Sequence, residues 1–242
     1  MRSLTSHHSG RAYLVLATVL SATAALLFAA PADAATPAHV QSRAQEVTTG
    51  TSNNLAFSSP NSAGNLIVVY AMWSNTSAAT VTDTQGNNYA SAAPVTRWNN
   101  NTWSSQVFYA KNVAGGANTV TATFATALGG GWGTVYIHEY SGVDRTNPLD
   151  VQAAAIGTAR AMSVGPVTTT SASLLFSGGA PSNQVTAAGP DFTSRSTAFG
   201  NRTMDRISFA AGTYSATMTQ NQNQWVQHLV AFRSAATPGG AN

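Results

Sequence analysis

Hydrophobic and polar residues alternate with a period of two along most of the chain, which is typical of β-strands with one solvated face. In Thr119–Phe124, Val120, Ala122 and Phe124 share one face and three threonines share the other. The segment 213–219 alternates in the same way. Because one wet face is typical of antiparallel sheets, the pattern predicts an all-β, antiparallel protein.

Leu66–Trp73 is apolar on both faces and is predicted to be a central strand that is covered on both sides. Trp225–Arg233 is predicted to be a second central strand. Glycine and asparagine are concentrated between the predicted strands, as is typical of turns. Residues 114–118 (AGGAN) predict a hairpin that joins 107–113 to 119–124. The complete pattern predicts strands near 40–47, 53–58, 65–74, 79–83, 87–92, 104–112, 118–125, 132–141, 149–156, 163–169, 172–179, 192–199, 203–209, 213–219 and 225–233.

So many strands exceed what one flat sheet holds, which favours two packed sheets. We therefore predict an antiparallel β-sandwich, jelly-roll-like, over residues 36–233. The alternative is a pair of smaller immunoglobulin-like sandwiches that divide near Pro148. The two halves show no convincing sequence repeat.

The N-terminal region has the features of an export signal. Arg2 and Arg11 are followed by an uncharged apolar run over 14–30 and by the small-residue processing site Ala32-Asp33-Ala34. We predict a signal peptide over residues 1–35 and a secreted, extracellular product; a membrane anchor is the alternative. No later run is long and apolar enough to span a bilayer, so no membrane association is expected after cleavage. The tail 234–242 is predicted to be disordered.

The composition of the chain excludes several classes of function. Charged residues make up 8% of the chain and the net charge is +3, whereas an ordinary domain is about 25% charged. Such a chain has no basic patch of the kind that binds nucleic acid. The absence of cysteine excludes disulfides, thiolate metal sites and a cysteine nucleophile.

Three stretches carry a resemblance to known proteins: GNLIVV at 64–69, VTDTQGNNY at 81–89 and EYSGVDRTNPLD at 139–150. On these stretches the chain resembles a broad group of bacterial secreted β-sandwich modules, over roughly residues 40–232. The resemblance implies a β-sandwich fold and an extracellular location. It implies no activity and no catalytic residue.

Aromatic residues are the strongest candidates for ligand binding. Trp98 and Trp103 flank four polar residues in a predicted exposed loop, and Trp132 and Tyr136 share one face of the strand 132–141. Exposed aromatic rings stack on the apolar faces of sugars, so these residues favour a non-catalytic module that binds polysaccharide or a cell-surface glycan. The alternative is that these rings belong to the core or fold back over the end of the sandwich.

A glycan-cleaving enzyme is the second hypothesis. Glu139 could act in a glycoside hydrolase if another strand supplied a partner carboxylate. His138 and Tyr140 could act as base and acid in a polysaccharide lyase. A structural or adhesive envelope protein without a specific ligand is the third hypothesis.

Metal and cofactor signals are weak. Asp144, Asn147 and Asp150 could supply oxygen ligands to calcium, although their spacing matches no EF-hand loop, and an Asx turn is the alternative. His39 could join a copper site only if it became the mature N-terminus. No other cofactor is expected.

Overall fold

The computed structural model of the chain describes residues 35–128, 132–221 and 223–236. The predicted signal segment lies outside this part, except for Ala35. Residues 237–242 of the predicted tail also lie outside it, whereas Ser234 and Ala235 bond to the backbone of Ala172 and Gly142. In the described ranges, no helix is long and apolar enough to cross a bilayer.

The first half of the fold is an eight-stranded antiparallel sandwich of two sheets. Its larger sheet has the strand order β1-β8-β3-β6-β5, and its smaller sheet has the order β2-β7-β4. The strands are β1 (Ala38–Val47), β2 (Ser52–Ala56), β3 (Leu66–Trp73), β4 (Ala79–Asp83), β5 (Tyr89–Trp98), β6 (Trp103–Ala110), β7 (Thr119–Phe124) and β8 (Gly133–Ser141).

The second half repeats this arrangement. Its larger sheet has the order β13-β14-β11-β16-β9, its smaller sheet has the order β10-β15-β12, and a short 3₁₀ turn (Ala198–Gly200) lies between β13 and β14. The strands are β9 (Leu149–Gly157), β10 (Ala161–Thr168), β11 (Ser173–Pro181), β12 (Val185–Ala188), β13 (Thr193–Ser196), β14 (Arg202–Ser208), β15 (Thr213–Gln220) and β16 (Trp225–Arg233).

The two halves match strand for strand, from β1 with β9 to β8 with β16. A β-bulge fixes the register of this match. In the first half, β1 has an extra residue between the partners of Tyr140 and Glu139 of β8. In the second half, β9 has an extra residue between the partners of Phe232 and Ala231 of β16. Because a bulge locates one residue in a ladder, residues of the two halves can be paired individually.

The four sheets form successive layers with a core between each neighbouring pair. The two large sheets pack face to face across a core that includes Tyr70, Tyr136, Phe176 and Phe232. In each half, one outer core lies between the large sheet and the small sheet. This layering explains why β3, β8, β11 and β16 are buried on both faces, as the sequence predicts for β3.

The predicted all-β antiparallel sandwich is confirmed. Each half has the jelly-roll strand order, except that β5 joins the large sheet, and the halves divide between Ser141 and Leu149, near Pro148. The predicted hairpin across residues 114–118 is wrong. This segment instead crosses between sheets, since β6 pairs with β3 and β5 whereas β7 pairs with β2 and β4.

Candidate functional site

The two halves leave a cleft of about 280 Å³ at one end of their shared core, which we call the tryptophan cleft. Three of its lining residues are tryptophans, and both halves contribute to its wall. The lining residues are Glu46, Met72, Trp98, Asn99, Trp103, Trp132, Thr134, Pro181, Ser182, Phe199 and Asn201.

The floor on the side of the first half is a row of side chains across three neighbouring strands. Glu46 of β1 lies opposite Thr134 of β8, and Thr134 lies opposite Met72 of β3. Residues that lie directly opposite each other in antiparallel strands project from the same face of the sheet. The strand register therefore places a carboxylate, a hydroxyl and a thioether side by side at the end of the inner face.

The β5–β6 hairpin supplies two of the tryptophans. Trp98 and Trp103 are paired across the hairpin with their ring centroids 5.8 Å apart. The three asparagines between them, Asn99, Asn100 and Asn101, all have positive φ. Asparagine tolerates this conformation better than most residues, which explains how four residues close the turn. The tip also contacts the second half, because the Asn100 amide donates to Gln224 Oε1 at 2.9 Å.

The second half closes the cleft through the segment between β13 and β14. The buried hydroxyl of Tyr136 donates to the Ala198 carbonyl at 2.8 Å and accepts from Asn201 Nδ2 at 3.0 Å. Asn201 also donates to Thr134 Oγ1 at 3.1 Å. Burial is the main reason that the pKa of Tyr136 rises to about 12. Tyr136 thus remains a neutral phenol that links the two halves beneath the cleft.

Two aromatic rings at the cleft are open to solvent. Trp132 is 56% exposed and Phe199 is 46% exposed. Phe199 also has left-handed backbone angles, with φ 58° and ψ 29°. Such a conformation costs a bulky residue about 1–3 kcal/mol, and strain of this kind is concentrated at functional sites. An exposed ring held on a strained backbone therefore makes this rim a candidate contact surface.

A second cleft of about 390 Å³ lies beside the first, and Trp98 and Asn99 line both. It is the counterpart of the tryptophan cleft in the repeated topology, since here the β5–β6 tip covers the ends of β9 and β16. By the shared register, Ile156 takes the position of Glu46 and Gln224 takes that of Trp132. Of the two clefts in the described part of the chain, only the tryptophan cleft therefore contains an acid, Glu46, and a solvent-exposed indole, Trp132.

The structure brings together three of the four predicted ligand-binding residues, Trp98, Trp103 and Trp132. Their accessibility differs from the prediction, since Trp98 is only 3% exposed because it packs against Trp103 and the inner core. Tyr136 is wrong as a contact residue because it is fully buried between the large sheets. Sequence reasoning missed Phe199 and Glu46, and no local pattern indicates that either would reach this cleft.

Glu139, the predicted carboxylate of a hydrolase, lies on the outer face of β8 and is fully buried. Its Oε1 accepts from the Ser62 amide and Asn65 Nδ2, and its Oε2 accepts from Gln41 Nε2 and Asn61 Nδ2, at distances of 2.7–2.8 Å. Four donors from the surrounding chain occupy both oxygens and leave no room for a substrate. Glu139 therefore organises the segment before β3.

His138 and Tyr140, the predicted base and acid of a lyase, are fully buried in the inner core. Neither ring nitrogen of His138 has a hydrogen-bond partner within the described ranges. The Tyr140 hydroxyl donates to Asp205 Oδ2 at 2.9 Å, and Arg195 pairs with the same carboxylate. Because no substrate can reach these rings, a catalytic role for them is wrong.

Buried His138 makes the fold sensitive to acid. Burial, together with the charges of His39 and Arg195, lowers the pKa of His138 to about 3. As the pH falls, His138 is therefore protonated near pH 6.5 in the unfolded chain, before it is protonated in the folded protein. The folded protein loses stability as the pH falls from 6.5 toward 3. When the pH falls from 7.5 to 5, we expect the free energy of unfolding of the parent to decrease by about 2 kcal/mol more than that of His138→Leu. Urea unfolding at both pH values measures this difference, and parallel losses in the two proteins would contradict it.

The three calcium candidates are engaged by groups of the protein itself. Asp144 accepts from the amides of Thr146 and Asn147, which forms the alternative Asx turn. Asp150 instead pairs with Arg233 at 2.6 Å and accepts from Thr170. Across the described ranges, no group of three or more histidine or acidic side chains is placed to hold a metal ion. The structure therefore lends the predicted calcium site no support, because its two carboxylates are engaged by different partners.

Comparison with protein-family models, with curated proteins and with solved structures finds no match. The functional assignment therefore depends on the geometry and chemistry of the chain itself.

Proposed function

We propose that the protein is a secreted, non-catalytic carbohydrate-binding module that holds a glycan in the tryptophan cleft. The observation that carries the proposal is the pair of exposed rings, Trp132 and Phe199, at the rim of a cleft whose wall contains two further indoles. The N-terminal export pattern supports the extracellular location. A polysaccharide or cell-surface glycan is the partner that such a location provides.

Sugars suit this lining better than a purely apolar ligand does. The rings offer flat faces to the C–H side of a pyranose, and the hydroxyls and amides of Ser182, Thr134 and Asn99 lie around them. A ligand pocket typically combines such an apolar wall with a few polar groups that fix orientation. The polar groups here are uncharged apart from Glu46.

The lining also favours binding over hydrolysis. Among the residues that line the tryptophan cleft, Glu46 is the one carboxylate. Hydrolysis of a glycosidic bond requires two carboxyl groups, about 5–9.5 Å apart, on either side of that bond. The other carboxylate weighed for this chemistry, Glu139, lies on the opposite face of the large sheet.

Removing the exposed indole tests the proposal. We expect Trp132→Ala to weaken glycan binding about two- to tenfold, since stacking on an aromatic face contributes on the order of 0.5–1.5 kcal/mol. Isothermal titration against soluble oligosaccharides measures the change. Phe209→Ala is the matched control, because Phe209 is 79% exposed but does not line the cleft. Equal losses in both variants, or no binding of any glycan by the parent protein, would overturn the proposal.

Phe199 allows binding and stability to be separated. Glycine accepts the left-handed backbone without strain, so Phe199→Gly should unfold at the same temperature as the parent or a higher one. The same variant should lose affinity because it removes an exposed ring from the rim. Calorimetric unfolding and titration of one preparation measure both quantities. A variant that is more stable and still binds at full strength would show that the ring has no part in binding.

A further inference from the structure

Glu46 differs from every other carboxylate in the described ranges. Each of the others accepts a hydrogen bond or pairs with an arginine, whereas Glu46 has neither within those ranges. The engaged carboxylates are Asp83, Glu139, Asp144, Asp150, Asp191 and Asp205. Among the residues that the structure describes, the one carboxylate without a partner therefore lies in the tryptophan cleft.

The surroundings of Glu46 strengthen this contrast. It is partly buried at the end of β1, in a cleft that Trp132, Trp103 and Phe199 also line. Its counterpart in the second half is Ile156, so the repeated topology does not require an acid here. Because this carboxylate is only partly buried and has no partner within the described ranges, it is available to pair with a cationic group of a ligand.

We propose that the glycan bound in the tryptophan cleft carries free amino groups, as a polymer of glucosamine does, and that its ammonium pairs with Glu46 beside the aromatic rings. This inference rests on the proposed function and assigns the class of sugar. An ammonium group is attracted both to a carboxylate and to the faces of tryptophan rings. An aromatic wall with one acid therefore selects an amino sugar over its N-acetylated or neutral equivalent.

An extended glycan fits the surface better than an isolated cation or a lysine side chain. Trp98 and Asn99 line both clefts, so the binding surface continues from Glu46 past the β5–β6 tip toward Ile156. The second cleft is lined by indole, amide and aliphatic groups together with Arg97, whose guanidinium donates to the Thr76 carbonyl, and it contains no acid among its lining residues. The subsite for an ammonium group is therefore confined to the cleft that contains Glu46.

The test compares three tetrasaccharides by isothermal titration with the full-length chain: a glucosamine tetramer, its N-acetylated form and cellotetraose. We expect the parent protein to bind the glucosamine tetramer about tenfold more tightly than the other two. Glu46→Gln, which keeps the shape of the side chain, should remove this preference by weakening the binding of the glucosamine tetramer to the level of the other two. Added salt should weaken only the binding of the glucosamine tetramer.

Each result supports or overturns a defined part of the inference. If the three tetramers bind equally and Glu46→Gln has no effect, the amino-sugar assignment is wrong while the proposed glycan binding stands. If no tetramer binds, the proposed function fails together with it. Two further probes, choline and a lysine-rich peptide, address other cations; binding of either with no binding of the glucosamine tetramer would replace the sugar with that ligand. Trp132→Ala is the companion variant and should weaken all three tetramers.

Discussion

Replacing Glu139 with alanine is expected to destabilise the protein by about 4 kcal/mol. The carboxylate is fully buried and accepts four hydrogen bonds, two of them from the buried amides of Asn61 and Asn65. Its removal leaves these donors without acceptors inside the protein, which costs more than the loss of the bonds alone. Urea unfolding at pH 7 measures the change.

Two variants control this experiment. Glu139→Gln keeps the size of the side chain but turns one acceptor into a donor that faces other donors, so it should also destabilise the protein substantially. Glu46→Ala removes a carboxylate that has no partner in the described ranges and should change the free energy of unfolding by less than about 0.5 kcal/mol. A loss below about 1 kcal/mol in Glu139→Ala would show that water replaces the carboxylate.

The pH dependence gives an independent measure of the same site. Burial by itself raises the pKa of Glu139, but the bonds from Gln41, Ser62, Asn61 and Asn65 together outweigh burial and lower it. The unfolded chain therefore binds a proton at a higher pH than the folded protein does. The contribution of Glu139 is complete above its unfolded pKa and is lost as pH falls through the folded pKa. The difference in stability between the parent and Glu139→Ala should accordingly shrink in acid.

Local pattern was sufficient to predict most of the strands. Alternation in Thr119–Phe124 and the unbroken apolar run of Leu66–Trp73 indicate one-sided and two-sided burial, and both are present in the structure. The pairing of strands was not predictable in the same way. The segment at 114–118 has the composition of a hairpin, yet it joins strands of different sheets, because pairing is decided by the jelly-roll topology.

The candidate site was predictable only where its residues are unusual in their local sequence. Trp98, Trp103 and Trp132 stand out because indoles near asparagine-rich or glycine-rich loops are unusual. Phe199 and Glu46 do not, because the register of β1 with β8 places Glu46 at the cleft and the packing of the second half against the first brings Phe199 to it. The repeat was hidden for a similar reason, since the two halves share strand order and a bulge but place different residues at matched positions, such as Glu46 and Ile156.

Replacing Asp205 with alanine is the second substitution expected to have a large effect, a loss of about 3–5 kcal/mol. Asp205 of β14 is 2% exposed and accepts two bonds from Arg195, at 2.7 and 2.9 Å. It also accepts the hydroxyl of Tyr140, which belongs to β8 of the other half. Burial and this carboxylate hold the pKa of Tyr140 well above its ordinary value, so the phenol is a permanent donor.

A matched exposed pair separates the effect of burial from that of charge. Asp191 pairs with Arg206 at 3.1 Å on the surface, so Asp191→Ala should cost less than about 1 kcal/mol. Tyr140→Phe removes only the hydrogen bond that Tyr140 makes to the other half and should cost about 1.5–3 kcal/mol. In the double variant of Asp205 and Tyr140 the two losses should not add, because both remove the same bond. Additive losses in urea unfolding would mean that the Tyr140–Asp205 bond does not couple the two residues and that Asp205 acts mainly by anchoring Arg195 within its own half.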